Sequence, residues 1–257
     1  MSHALISKPF EGKVAFITGV SSGIGASAAE LFAARGARIA AVARNVERGM
    51  ATVERVRKAG GTAEFIQADV SDPEQIIAAV RISQEKFGRM DMAFNNAGQT
   101  GVVGAFHEQT LEAWNDTIAT NLTSVFVSMQ EEIKIMLKQG GGAIVNNCSG
   151  AGVMGAPGLP HYTAAKHGIL GISKVAAKEY GPHNIRINSI CPGFIDTVQM
   201  NEFLGTDDAR AAVSAGIPLG KMGGPETIAK AAAFLCSDEA DYISGDTMFV
   251  DGAFLCR

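Results

Sequence analysis

Seven short apolar runs recur along the chain: Lys13–Thr18, Ala37–Val42, Thr62–Gln67, Met90–Asn95, Ala143–Cys148, Ile185–Cys191 and Thr247–Val250. Their apolarity is continuous rather than alternating, which suits parallel strands buried on both faces. Between them lie helical patterns at Gly25–Arg35, Val46–Ala59, Pro73–Phe87, Leu111–Gln139, Tyr162–Tyr180 and Glu226–Cys236. Ser71 and Thr110 are placed to cap the helices that follow them, and the run Gly140–Gly142 stops the longest. This alternation predicts an α/β fold, a doubly wound seven-stranded parallel sheet with helices on both faces, because right-handed crossovers carry each helix over the sheet. With 257 residues and no repeat, linker or low-complexity tract, residues 1–257 read as a single domain around one large core. One stretch, Thr197–Gly224, breaks the rhythm. Ligands of such folds bind outside the carboxyl ends of the strands, so this stretch is expected to be a lid over the substrate.

The turn Thr18-Gly19-Val20-Ser21-Ser22-Gly23-Ile24-Gly25 follows the first strand and opens the first helix. Its glycines let the backbone approach a pyrophosphate, and the helix N-terminus offers free N–H groups and partial positive charge. Three glycines in a turn say little alone; strand, turn and helix in this order point to a dinucleotide. The end of the second strand bears on which one. A site for NAD wants an acidic residue roughly 20 residues after the glycines, on the ribose 2′-hydroxyl. This chain has Ala43 followed by Arg44 and Asn45. The missing carboxylate removes repulsion of a 2′-phosphate, and Arg44 is suited to a bidentate contact with it. Ser21, Ser22 and Asn45 are candidate hydrogen-bonding partners, so NADP(H) is expected over NAD(H). The missing acid also disfavours S-adenosylmethionine as the ligand.

Composition closes off other classes. The net charge is −4 and the pI about 5.8, against the basic surface that nucleic acid or an anionic membrane needs. No apolar run reaches the length of a membrane span, and Met1–Phe10 lacks a signal-peptide core. Cys148, Cys191, Cys236 and Cys256 lie far apart without metal-ligand spacing, so we expect no metal site and read them as reduced thiols of a cytoplasmic protein.

Further landmarks appear in order: Asp69-Val70 after the third strand, Asn95-Asn96-Ala97-Gly98 after the fourth, Asn121 in the long helix, Ser149, Tyr162-Thr-Ala-Ala-Lys166, Pro192-Gly193 with Ile195 and Thr197, and Asp251-Gly252. With the glycine turn, they resemble the short-chain dehydrogenase/reductase superfamily over nearly the whole chain, which carries the Rossmann-like fold. The resemblance implies that Asp69 and Val70 hold adenine, that Gly19, Gly23, Ile24 and Gly25 cradle the phosphates, and that Asn95–Gly98 belong to the cofactor site. It implies that Pro192, Gly193, Ile195 and Thr197 bind the nicotinamide carboxamide, and that Asn121, Ser149, Tyr162 and Lys166 are catalytic. Departures from the common pattern are Cys148-Ser149 where many members have two serines, Ser22 where many NADP-dependent members have a basic residue, and Ala253 at the last motif.

Tyr162 and Lys166 stand at i, i+4, on one helix face. A free phenol titrates near ~10, and a neighbouring ammonium favours the phenolate. Tyr162 is then the general acid in carbonyl reduction and the base in alcohol oxidation, Lys166 also holds the nicotinamide ribose, and Ser149 stabilises charge on the substrate oxygen. By the resemblance, Asn121 holds a water that relays protons to Lys166. An isolated Tyr-x-x-x-Lys is most often a solvated helix face; its company reverses that. His161, beside Tyr162, reads as a packing or surface residue with pocket lining as the alternative, His107 and His183 have no chemical partner in the sequence, Trp114 reads as packing, and Met154 and Leu159 as pocket or core. The substrate is a small-molecule ketone, aldehyde or alcohol. A 3-oxoacyl-carrier-protein reductase is an alternative, for which Lys134 would meet the acidic carrier protein despite Glu131 and Glu132 beside it. A nucleotide-sensing binding protein without catalysis is the rival from another class. The resemblance also implies a homo-oligomer, most often a tetramer, with the long helix and the helix from Tyr162 at the interface.

Overall fold

A computed structural model describes residues 8–256; the stretch Met1–Phe10 falls mostly outside them. The chain forms β1 (Val14–Thr18), α1 (Gly23–Ala34), β2 (Arg38–Ala43), α2 (Val46–Lys58), β3 (Thr62–Gln67), α3 (Pro73–Phe87) and β4 (Met92–Asn95). Then come α4 (Leu111–Ile118), a π-helical turn (Ala119–Thr123), α5 (Ser124–Gln139), β5 (Gly142–Asn147), α6 (Pro160–Tyr180) and β6 (Ile185–Pro192). The chain closes with α7 (Val198–Leu204), α8 (Asp207–Ala215), α9 (Pro225–Cys236) and β7 (Thr247–Val250). The strands form one parallel sheet in the order β3-β2-β1-β4-β5-β6-β7.

Strand side chains alternate between two helical layers, as a period of two requires. Ala15, Ile17 and Ile39 join Phe32 of α1 and Ile228 of α9 in one core. Phe16, Ala40 and Ile144 join Val80 of α3, Met129 of α5 and Ile169 of α6 in the other. Both faces are therefore dry, and the strand sequences are continuously apolar. Along β5 the parity is strict. Ile144 and Cys148 face α5 and α6 with Asn146, while Val145 packs in the opposite core; Asn147 and Ser149 line a cleft beyond the strand end.

The structure corrects several local expectations. The helix predicted over Leu111–Gln139 is interrupted by the π turn at Asn121. The cap of α3 is Asp72, whose side chain accepts from Glu74 N, with Pro73 at the first helical position; Ser71 instead donates to Asp69. Thr110 does cap α4, and Gly140 ends α5 in the left-handed region at φ +88°. Trp114 is 38% exposed rather than packed inside. His161 is fully buried: Nδ1 accepts from Tyr162 N at 2.7 Å and Nε2 faces Val102 O at 3.0 Å, tying the start of α6 to the loop after β4. Cys148, Cys191 and Cys236 are buried and Cys256 is exposed. No helix among the described residues is long and apolar enough to cross a membrane.

Candidate active site

Strand order reverses between β1 and β4, so the loops leaving those strands part and open a crevice. A cleft of about 1000 Å³ lies there, at the carboxyl ends of the strands.

At one end sits the glycine turn. Gly19 adopts φ +77°, and a Cβ there would lie 2.8 Å from Asn96 Nδ2; a Cβ on Gly25 would overlap the Gly19 carbonyl oxygen. Backbone therefore packs against backbone, leaving the turn's outer side open. Ser22 begins α1 without a side-chain cap, so the first N–H groups of the helix face the cleft without a local acceptor. Asn96 holds the turn in place. Its amide donates to Thr18 O at 3.0 Å, its own N–H and that of Ala97 donate to Thr18 Oγ1, and Asn147 Nδ2 donates to its Oδ1 at 2.9 Å. One side chain thus joins the ends of β1, β4 and β5. These features fit a pyrophosphate. Gly25→Ala is expected to weaken dinucleotide binding at least about tenfold, since the turn must open to admit the methyl group; fluorescence titration with reduced dinucleotide reads it.

Ala43, Arg44, Asn45, Asp69 and Val70 line the cleft beside that turn. Arg44 lies 3.6 Å from Asp69 Oδ2 and its side chain is 71% exposed, so the pair is loose. Partial burial pushes the Asp69 carboxyl up, but hydrogen bonds from Ser71 N and Oγ, helped by Arg44, hold it below its ordinary value. The Asn45 side-chain oxygen is committed to capping α2 through Arg48 N at 2.9 Å, leaving its NH₂ as the available group. Arg48 lines the same end and was missed from sequence. The available signal was a cation in the first turn of a helix, misplaced against the dipole unless an anion lies beside it.

In the middle of the cleft Tyr162, Lys166, Ser149 and Asn121 come together. Lys166 is 4% exposed, its Nζ lies 5.4 Å from the Tyr162 ring centre, and it donates to Asn147 O at 2.9 Å. Ser149 Oγ accepts from Ala151 N at 3.2 Å, which leaves its proton for a ligand oxygen. Asn121 is fully buried in the π turn. Its Nδ2 donates to Gln99 O and Thr117 O, both at 2.9 Å, and its Oδ1 accepts from Gln99 N at 3.2 Å. Both amide donors are therefore occupied by the protein, leaving one lone pair near Gly98.

Asn95 does not belong with these residues. Strand parity turns it away from the cleft, and its Nδ2 donates to Glu132 Oε2 and Asn146 Oδ1, both at 3.0 Å, inside the core. Glu132, noted from sequence only as an acid beside Lys134, is fully buried there, and burial pushes its carboxyl up to about 8 against the opposing Asn95 bond.

At the far end, Pro192, Gly193, Ile195 and Thr197 line the cleft as expected, with Ile195 bridged to Gly223 and Thr197 capping α7. The stretch after them, Thr197–Gly224, carries α7 and α8. Met154 and Leu159 line the cleft. Phe194, Met200, Phe203 and Phe254 do so too, brought from three separate places in the chain without a sequence signal.

A family model described as "Enoyl-(Acyl carrier protein) reductase" matches residues 19–254. The cyclohexanol dehydrogenase of Acinetobacter sp. (strain SE19) is 41% identical over 253 residues, 98% of this chain and 99% of that protein. The chain belongs to the short-chain dehydrogenase/reductase superfamily. The 3-oxoacyl-acyl-carrier-protein reductase FabG of Escherichia coli (strain K12) is 41% identical over 243 residues, 95% of this chain and 97% of that protein. The crystal structure of levodione reductase superposes with a TM-score of 0.91 at 35% identity, covering 95% of this chain and 98% of that one. As a short-chain dehydrogenase/reductase the protein is an enzyme of the oxidoreductase class, and the shared seven-stranded fold places its glycine turn and its Tyr-x-x-x-Lys pair in one cleft.

Proposed function

We propose that the protein is an NADP(H)-dependent oxidoreductase that interconverts a ketone or aldehyde with the corresponding alcohol, Tyr162 passing the proton. The observation that carries this is the convergence of Ser149, Tyr162 and Lys166 on a cleft continuous with the glycine turn. The nicotinamide, when bound, supplies or accepts the hydride. The chain's own part is orientation and proton handling. Ser149 offers its hydroxyl proton to the substrate oxygen. Tyr162 donates to that oxygen in reduction and receives the proton in oxidation. The Lys166 ammonium favours the charge that remains on the phenol oxygen. Asn121 fixes the loop at Gln99, and its remaining Oδ1 lone pair is the place for a relay water beside Gly98 and Lys166.

Preference for NADP(H) is supported by Ala43, Arg44 and Arg48 at one end of the cleft. NADPH is expected to bind at least about tenfold tighter than NADH, and Arg44→Ala to reduce that ratio several-fold, as loss of a charge-assisted bond would. Fluorescence titration checks both, and equal or tighter binding of NADH would overturn the preference.

The reading includes a cytoplasmic homo-oligomer, most often a tetramer in this family. Leu111 of α4 is 73% exposed, Phe126 of α5 48% and Val175 of α6 57%, apolar side chains on the helices expected at the interface. Against the carrier-protein alternative, Lys134 is engaged by Glu131 at 2.6 Å. Against a purely nucleotide-sensing protein stands the buried, oriented Lys166 beside Tyr162, which nucleotide binding alone does not require.

A further inference from the structure

We propose that the substrate end of the cleft selects a neutral, apolar, ring-sized secondary alcohol and its ketone, and rejects anionic and carrier-tethered analogues. This rests on the oxidoreductase reading above.

The first observation is charge. Among the described residues, the cations lining the cleft are Arg44, Arg48 and Lys166. Arg44 follows β2 and Arg48 stands in the first turn of α2, across β1 and β4 from Ser149 at the end of β5. Lys166 is buried and donates to Asn147 O. Among the described residues lining the cleft no free cation therefore remains near Ser149 for a carboxylate or phosphate on the substrate, and a desolvated anion without a partner binds poorly. The lid carries Glu202, Asp207 and Asp208 against Arg210 and Lys221, with Asp196 just before it. Arg210 is clasped by Asp196 through bonds of 3.1 and 2.9 Å. Glu202, Asp207 and Asp208 are exposed, so the lid presents acid to solvent and would repel an acidic carrier protein.

The second observation is shape. Beyond Tyr162 the walls are Met154, Leu159, Phe194, Met200, Phe203 and Phe254. Phe194 and Phe254 meet edge to face, with ring centres 5.1 Å apart. Phe203 is 49% exposed and Phe254 36%, so apolar surface at the mouth waits for an apolar partner. Gln199 Nε2 of α7 donates to Thr100 Oγ1 of the loop after β4 at 3.3 Å, and both residues line the cleft. That bridge ties α7 to the loop after β4 and narrows the opening available to an extended acyl tether. A compact ring, with its carbonyl at Ser149 and Tyr162, needs no such exit.

The test uses the full-length protein with NADPH or NADH in excess, following absorbance of the reduced nicotinamide. The probes are cyclohexanone, 4-oxocyclohexanecarboxylate and an acetoacetyl thioester on an acyl carrier protein. The expected kcat/KM for cyclohexanone exceeds the other two by at least about 30-fold, the scale of an unpaired charge in an apolar site. If the carboxylate or the thioester were equal or better, the substrate class would be wrong while the redox reading stood. If none turned over while the dinucleotide still bound, both would fall. Phe203→Arg is expected to raise the carboxylate relative to cyclohexanone at least about tenfold, by supplying the missing cation. An unchanged ratio would overturn the placement of the ring in this chamber.

Discussion

Replacing Tyr162 with phenylalanine is expected to cut turnover by about a thousandfold or more while dinucleotide binding stays within a few fold. Positioned proton transfer contributes roughly 10²–10⁴ to an enzymatic rate, and the hydroxyl is the only group removed. The ring keeps its anchor, because that anchor is the backbone: Tyr162 N–H donates to His161 Nδ1 at 2.7 Å, a bond phenylalanine retains. Lys166 keeps its bond to Asn147 O, so the ammonium and the glycine turn remain in place for the cofactor. The readouts are steady-state turnover and a fluorescence titration of reduced dinucleotide. Loss of both would mean that the substitution had damaged the site rather than the chemistry, and unchanged turnover would remove Tyr162 from the mechanism.

The second large effect is expected at Glu132, far from any substrate. Its carboxyl is fully buried, takes one hydrogen bond from Asn95, and has no partner for Oε1; Asn95 Oδ1 also lacks a partner. Burial is the dominant cause that raises it from its ordinary 4.5 to about 8, with the Asn95 bond opposing. Between those values the native protein holds a proton that the unfolded chain has released. Stability is therefore greatest below about pH 4.5 as far as this group is concerned, and its contribution is lost as pH rises through 8. Glu132→Gln removes the titration and brings an N–H donor near an acceptor that lacks one. The variant's stability is expected to be flat in this respect between pH 5 and 8, matching the wild type at the acid end. At pH 8 and above it should exceed it by an amount of the order of 4–5 kcal/mol. Urea midpoints at several pH values test this. Parallel curves for the two proteins would show that Glu132 does not titrate across that range.

Much of the fold was legible because burial on both sheet faces writes itself as continuous apolar runs, and β3, α3 and β7 have the predicted boundaries. The placing of Tyr162, Lys166 and Ser149, the residues proposed to be catalytic, in one cleft follows from local geometry: Tyr162 and Lys166 share a helix face, and Ser149 follows a strand end. What escaped depended on contacts between distant segments or on which side of an element a residue faces. Glu131 and Glu132 look alike in sequence, yet neighbours on a helix point about 100° apart, one toward Lys134 and the other into the core. Asn95 and Asn96 differ in the same way across a strand. The π turn at Asn121 inserts no recognisable break into the apolar pattern. Ser71 and Asp72 are both capping residues, and Pro73 settles the choice by fixing the first helical position one residue later. Phe254 reaches the cleft from the end of the chain, where nothing in its neighbours announces a pocket.

The parity of β5 has a consequence for how this chain can change. Within the strand, odd positions lead to the cleft through Asn147 and even positions lead to the helices through Ile144 and Asn146; past its end, Cys148 packs against α6 and also borders the cleft beside Ser149. Insertion or deletion of one residue within the strand would exchange the two series, sending Asn146 toward the cleft and Asn147 toward the helices and displacing Ser149 from beside Tyr162. Substitutions along β5 can be absorbed one at a time, but its length cannot drift by a single residue. Chimaeras and loop grafts made on this scaffold should therefore place their junctions outside Gly142–Ser149.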